Sequence, residues 1–107
     1  MNRKEKIEAM LADDPTDTFL RYSLAMELRN EGDSDASLAK LGELTRESPP
    51  YVPAFFMAAQ QLADLDRVDE ARTLLRDGID EARRQGDGHA AAEMGEFLAA
   101  LGQRGEL

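Results

Sequence analysis

The one histidine of the chain, His89, lies four residues before Glu93 and seven before Glu96, so all three share one face of a helix. An imidazole beside two carboxylates is a donor set that a divalent metal can use. Di-iron centres in helical bundles, however, take Glu-x-x-His from more than one helix, and that pattern is missing. His89 reads more simply as a first-turn residue of the last helix, after Asp87 as cap, and no metal site is expected. Gly86-Asp87-Gly88 is too short to cradle a phosphate and lacks a following Lys-Ser or Lys-Thr. Ser23, Ser34, Ser37 and Ser48 have no histidine within a nucleophile motif. With no cysteine, disulfides, thiolate metal sites and a thiol nucleophile are excluded. The expectation is a non-enzyme with no catalytic residue and no cofactor.

What remains is recognition chemistry. Leu20, Leu24 and Leu28 form one stripe of a helix, while Phe19, Tyr22 and Met26 fall on an arc well away from it. An ordinary surface helix needs only one apolar stripe. Aromatic and Met side chains are common anchors of adaptable binding surfaces. The second arc is therefore a candidate surface for an apolar-anchored peptide or helix, and the alternative is that it packs against neighbouring helices.

The supporting elements are bounded by composition. The chain has 107 residues, with 13 Lys+Arg against 22 Asp+Glu, a net charge of −9, 42% hydrophobic and 6% aromatic residues. Mean hydropathy is −0.52 and the pI about 4.5. These values fit a single soluble helical domain. The acidic balance argues against nucleic acid and against anionic membranes, which both need clustered cations. The basic start, Met1 to Lys6, is not followed by the apolar run of a signal peptide, and no stretch is long and apolar enough to span a bilayer. A cytoplasmic location is expected.

Helical spacing between four prolines and eight glycines predicts an all-α fold of six helices. The first runs over about residues 2–12, with Asn2 as cap and Glu5 three residues on. The second opens after Pro15 with Thr16 as cap and runs to about Asn30, closed by Gly32. Asp33 or Ser34 caps a third that continues to Glu47, where Ser48-Pro49-Pro50 must end it. The fourth spans about 52–64 with Pro53 in its first turn, the fifth about 69–85 before Gly86, and the sixth about 88–101 before Gly102. The core is expected at Leu20, Leu24, Leu28, Leu38, Leu41, Leu44, Phe55, Leu62, Val68, Leu75, Ile79, Phe97, Leu98 and Leu101. Charges on the fifth helix, Asp77, Asp80, Glu81, Arg83 and Arg84, read as a solvated face with Asp80 paired to Arg84.

Sliding the chain by 34 residues superimposes these helices. Pro15 falls on Pro49, Leu24-Ala25 on Ala58-Ala59, Leu28 on Leu62, Gly32 on Asp66, Ser37 on Ala71, Leu41 on Leu75 and Glu47 on Glu81. Helix-turn-helix units of this period resemble the tetratricopeptide repeat (TPR) family. The resemblance implies a right-handed α-α superhelix forming one domain over residues 1–107. Residues 2–15 would be a half repeat, 18–51 and 52–85 two repeats, and 88–101 a capping helix. Departures from the pattern are Arg21 where the second repeat has Phe55, Asp66 for the inter-helix glycine, and Arg83 for the closing proline. After Gln85 the frame slips by about five residues around Gly86-Asp87-Gly88.

The resemblance also implies that first helices line a concave groove, which carries over to Phe19, Tyr22, Met26, Phe56, Met57 and Gln60. Positions that grip acidic tails in carboxylate-clamp members correspond to Tyr22, Met26, Met57, Ala92 and Glu96, none a cation or an Asn. The implied partner is a protein or peptide with apolar anchors and basic character. The chain is expected as a monomer or weak homodimer, and the alternative function is self-association through the outer faces of residues 2–12 and 88–101.

Overall fold

In a computed structural model of the chain, residues 1–104 are described. They form six helices and, among the described residues, no strand: α1 (Arg3–Asp13), α2 (Thr18–Asn30), α3 (Ser34–Thr45), α4 (Val52–Asp64), α5 (Val68–Arg84) and α6 (Gly88–Arg104). Consecutive helices pack as antiparallel neighbours in a right-handed α-α superhelix, and α4 also touches α6. The thinnest dimension, 18 Å against a length of 45 Å, is that of two helix layers.

Local chemistry sets the helix starts. Asn2 and Glu5 form a reciprocal capping box, with Glu5 N donating to Asn2 Oδ1 at 2.8 Å. Asp17, not Thr16, caps α2 by accepting from Leu20 N at 2.8 Å, because the helix begins one residue later than expected. Asp33 and Asp87 play the same part for α3 and α6. Three of the helix ends share one device. The N–H groups of Asp33, Arg67 and Asp87 donate back to the Leu28, Leu62 and Ala82 carbonyls respectively, while Gly32, Asp66 and Gly86 hold φ values of +85°, +61° and +76°. Asp66 thus adopts the left-handed conformation that its repeat partner reaches as glycine, an accommodation open to Asp more than to most residues.

Three further boundaries differ from expectation. α3 stops at Thr45 rather than Glu47, because Arg46 and Glu47 make only i−3 bonds as the chain tightens toward two prolines without donors. α5 begins at Val68, one residue before Asp69. α6 passes through Gly102 to Arg104, since buried Leu101 anchors its last turns and Arg72 Nη2 donates to the Leu101 carbonyl at 2.8 Å. α6 starts 36 residues after α4, yet its buried Ala91, Met94 and Leu101 repeat Val52, Phe55 and Leu62 at a separation of 39.

The core has two parts. One joins α4, α5 and α6 through Phe55, Leu62, Leu75, Ile79, Met94 and Leu101, and the other joins α2, α3 and α4 through Ala25, Leu41, Leu44, Ala54 and Ala58. Leu38, Val68, Phe97 and Leu98 are half-buried and pack against the core as expected, whereas Leu20 and Leu24, also half-buried, are not among the side chains packed on either part. For Leu20 and Leu24 the reason is thin cover, since α1 buries Ile7 alone. Where α2 carries Arg21, which pairs with Glu47 and Glu43, the second repeat carries buried Phe55. The space for that ring comes from Gly78, where an added Cβ would stand 2.6 Å from Phe55 Cβ and 2.7 Å from Met94 Sδ.

A buried polar link crosses the second part of the core. Ser37 Oγ donates to the Ala25 carbonyl at 2.6 Å and accepts from Gln61 Nε2 at 2.8 Å, tying α2, α3 and α4. Gln61 Oε1 has no hydrogen-bond partner among the described residues. On α5, Arg84 pairs with Glu81 rather than with Asp80, because three residues bring these side chains together as readily as four.

Candidate functional site

The first helices of the hairpins, α2 and α4, carry the six residues expected at a binding surface. The structure divides them. Tyr22 and Met57 pack on the α2–α3–α4 part of the core, at the seam between α2 and α4. Tyr22 meets Tyr51 edge to face, with ring centroids 5.4 Å apart, a favourable aromatic geometry. Burial raises the Tyr22 hydroxyl pKa above its ordinary value, with Tyr51 adding to the rise and Arg29 opposing it. Arg29 closes the same seam, its Nη1 3.0 Å from Met57 Sδ and its Nη2 2.9 Å from Asp64 Oδ2.

Phe56 belongs to the other seam, between α4 and α6. It packs on the α4–α5–α6 core and against Phe97, with ring centroids 5.6 Å apart and planes inclined by 59°. Met26 and Gln60 are half-buried, and Phe19 is 67% exposed with no ring contact among the described residues. Tyr22 and Met57 thus pack on the same part of the core, Phe56 is set with α6, and Phe19 stands exposed in the first turn of α2.

Beside Phe56 lies a shallow hollow of about 320 Å³ that the sequence pattern does not reveal, lined by Phe56, Phe97, Ala100, Glu93 and Glu96. The signal for it is the spacing of Glu93, Phe97 and Ala100 at i, i+4 and i+7, which reads equally well as core. Glu93 Oε1 lies 2.6 Å from His89 Nε2, with the His89 side chain largely solvated and that of Glu93 about half so. Glu96 has no ion-pair or hydrogen-bond partner among the described residues. No group of three His, Cys, Asp or Glu among the described residues is placed to hold a metal ion.

A larger hollow, about 580 Å³, sits where the α3–α4 loop meets the ends of α2 and α5, beside Pro49, Pro50, Tyr51 and Gln85. Its cation, Arg21, is held by Glu47, and Gln85 Nε2 donates to the Pro50 carbonyl at 2.8 Å, so its polar groups serve the loop itself. No described helix is long and apolar enough to cross a membrane.

Two solved structures of tetratricopeptide repeat domain proteins share this arrangement. A solution structure of a tetratricopeptide repeat domain protein from Salinibacter ruber superimposes with a TM-score of 0.77 and 30% identity, covering 81% of this chain and 88% of that one. A crystal structure of a tetratricopeptide repeat domain protein from the same organism gives 0.74 and 29%, over 81% and 97% of the two chains. A Bordetella parapertussis protein solved in solution gives 0.82 and 26%, over 97% and 90%. No protein-family model and no curated protein sequence matches the chain. The chain belongs to the tetratricopeptide repeat family. Its fold is that of a protein-interaction module in general.

Proposed function

We propose that this chain is a non-catalytic interaction module that holds a peptide or partner helix on the face formed by α2, α4 and α6. The observation that carries the reading is the partial exposure of apolar and aromatic side chains along successive first helices: Phe19, Tyr22, Met26, Phe56 and Met57, with Gln60 beside them. A stack that needed these helices only for its own stability would be served by the stripe containing Ala25 and Leu28 on α2 and Phe55, Ala59 and Leu62 on α4. Apolar anchors in a helix-lined groove suit an amphipathic helix or extended peptide read at alternate positions. The net charge of −9 favours a partner with basic character and slows approach of an acidic one.

The test is selection of peptides from a displayed random library, followed by affinity measurement with the wild type and the Tyr22→Ser/Phe56→Ser variant. Circular dichroism checks that the variant is folded. Peptides that bind the wild type and lose at least about tenfold in a folded variant, the scale of losing one or two apolar anchors, support the reading. Equal affinity for both chains overturns it. A chain that doubles its solution mass through α1 or α6 and selects no peptide favours self-assembly instead.

A further inference from the structure

We infer that the hollow between α4 and α6 is a subsite for one arginine side chain of the partner, its guanidinium on the Phe56 and Phe97 rings and its N–H groups directed to Glu96 and Glu93. This rests on the interaction-module reading and deepens it by naming the partner's chemistry at one position.

Three features converge on this small surface. The two rings are inclined by 59° at 5.6 Å and both are half-buried, so each is fixed by packing while part of it faces the hollow. A planar, weakly hydrated cation is attracted to such ring faces, and arginine fits better than lysine because it can stack and hydrogen-bond at once. Among the described residues, the charged side chains lining the hollow are two carboxylates and no cation. Several carboxylates are paired across helices, as in Arg3 with Glu27, Lys4 with Glu31 and Arg29 with Asp64, while Glu96, on the rim of this hollow, has no such partner among the described residues. An unpaired carboxylate beside an apolar surface is complementary to a cation with an apolar stem. Glu93 is partly engaged by His89, on the solvated side, and contributes the second oxygen pair at the rim. The hollow beside the α3–α4 loop offers no comparable set, because its arginine is already held by Glu47.

The probe is a soluble amphipathic peptide of about fifteen residues, long enough to form a helix, with leucines at i, i+3 and i+7, one arginine beside them and no other charge. Its control has citrulline at the same position, which keeps shape and hydrogen bonding but not charge. Amide NMR titration of the full chain gives affinity and location together. The expected result is binding at least about threefold tighter for the arginine peptide, the scale of an exposed cation–π contact plus an ion pair, with shifts at Phe56, Glu96, Phe97 and Ala100. The preference should vanish in Glu93→Gln/Glu96→Gln and persist in Asp77→Asn/Asp80→Asn, which removes the same charge from the exposed face of α5. Equal affinity of both peptides at this face overturns the subsite and leaves the module reading standing. A preference that survives loss of Glu93 and Glu96, or falls equally in both variants, also overturns it, as general attraction to an acidic chain. No binding of either peptide to α2, α4 or α6 overturns the reading beneath it as well.

Discussion

Gly78→Ala sets two known effects against each other in the middle of α5. Alanine is favoured over glycine in a helix interior by about 1 kcal/mol, so the substitution would stabilise an unobstructed helix. Here the new methyl would stand 2.6 Å from Phe55 Cβ, 2.9 Å from Phe55 Cγ and 2.7 Å from Met94 Sδ. Met94 is fully buried and Phe55 is 6% exposed, so neither can swing into solvent. The Phe55 Cβ contact is next to backbone, and relieving it requires α4 and α5 to move apart. Overpacking of this kind costs about 1–3 kcal/mol, and because the contact is with the base of a side chain the upper part of that range applies. The net expectation is destabilisation by about 1–2 kcal/mol, or a Tm lower by about 4–16 °C in a domain of this size. Gly95→Ala in α6 is the control, since nothing lies within 4 Å of its added Cβ, and it should stabilise by up to about 1 kcal/mol. Urea titrations followed by circular dichroism measure both. If Gly78→Ala stabilises the chain as Gly95→Ala does, the close approach of α4, α5 and α6 is refuted.

Ser37→Ala strands Gln61 Nε2 in the core and should cost about 1–3 kcal/mol, while adding Gln61→Leu should recover much of that loss by removing both amide groups; urea midpoints of the four chains close the cycle. Gly32→Ala forces an alanine to φ +85° and should destabilise by about 1 kcal/mol although no atom lies near the new methyl, again read from the urea midpoint. Burial holds the Tyr22 proton more firmly in the folded chain than in the unfolded one, so its contribution to stability is present below pH 10 and lost as pH rises beyond it. Absorbance titration of the phenolates, compared with Tyr22→Phe, should show one tyrosine ionising late, and stability should fall less steeply above pH 10 in that variant.

The helices were legible because their ends are written locally. Asn2, Asp33 and Asp87 cap, Pro49 and Pro50 stop, and Gly32 and Gly86 turn, each acting through its own backbone within a few residues. The 34-residue period was legible for the same reason, since the turn at Gly32 recurs at Asp66 with the same backbone bonds. Gly78 carried no such mark. Its meaning depends on Phe55 and Met94, which belong to two other helices, and glycine inside a helix pattern reads locally only as a weakness. Phe97 shows the same limit at the candidate site. Its spacing marks an apolar face, but whether its ring is sealed or borders an open hollow depends on how far α4 and α6 lie apart. The buried Gln61 was equally silent, because its partner Ser37 sits 24 residues away on another helix.

The most direct measurement of the central claim is amide NMR shift mapping of the chain with a peptide selected for binding to it. Binding on this face should perturb amides along α2, α4 and α6, including Tyr22, Met26, Phe56 and Gln60, in a complex of one chain with one peptide. Perturbations confined to α1, α3 and α5, with those four residues unmoved, would contradict it.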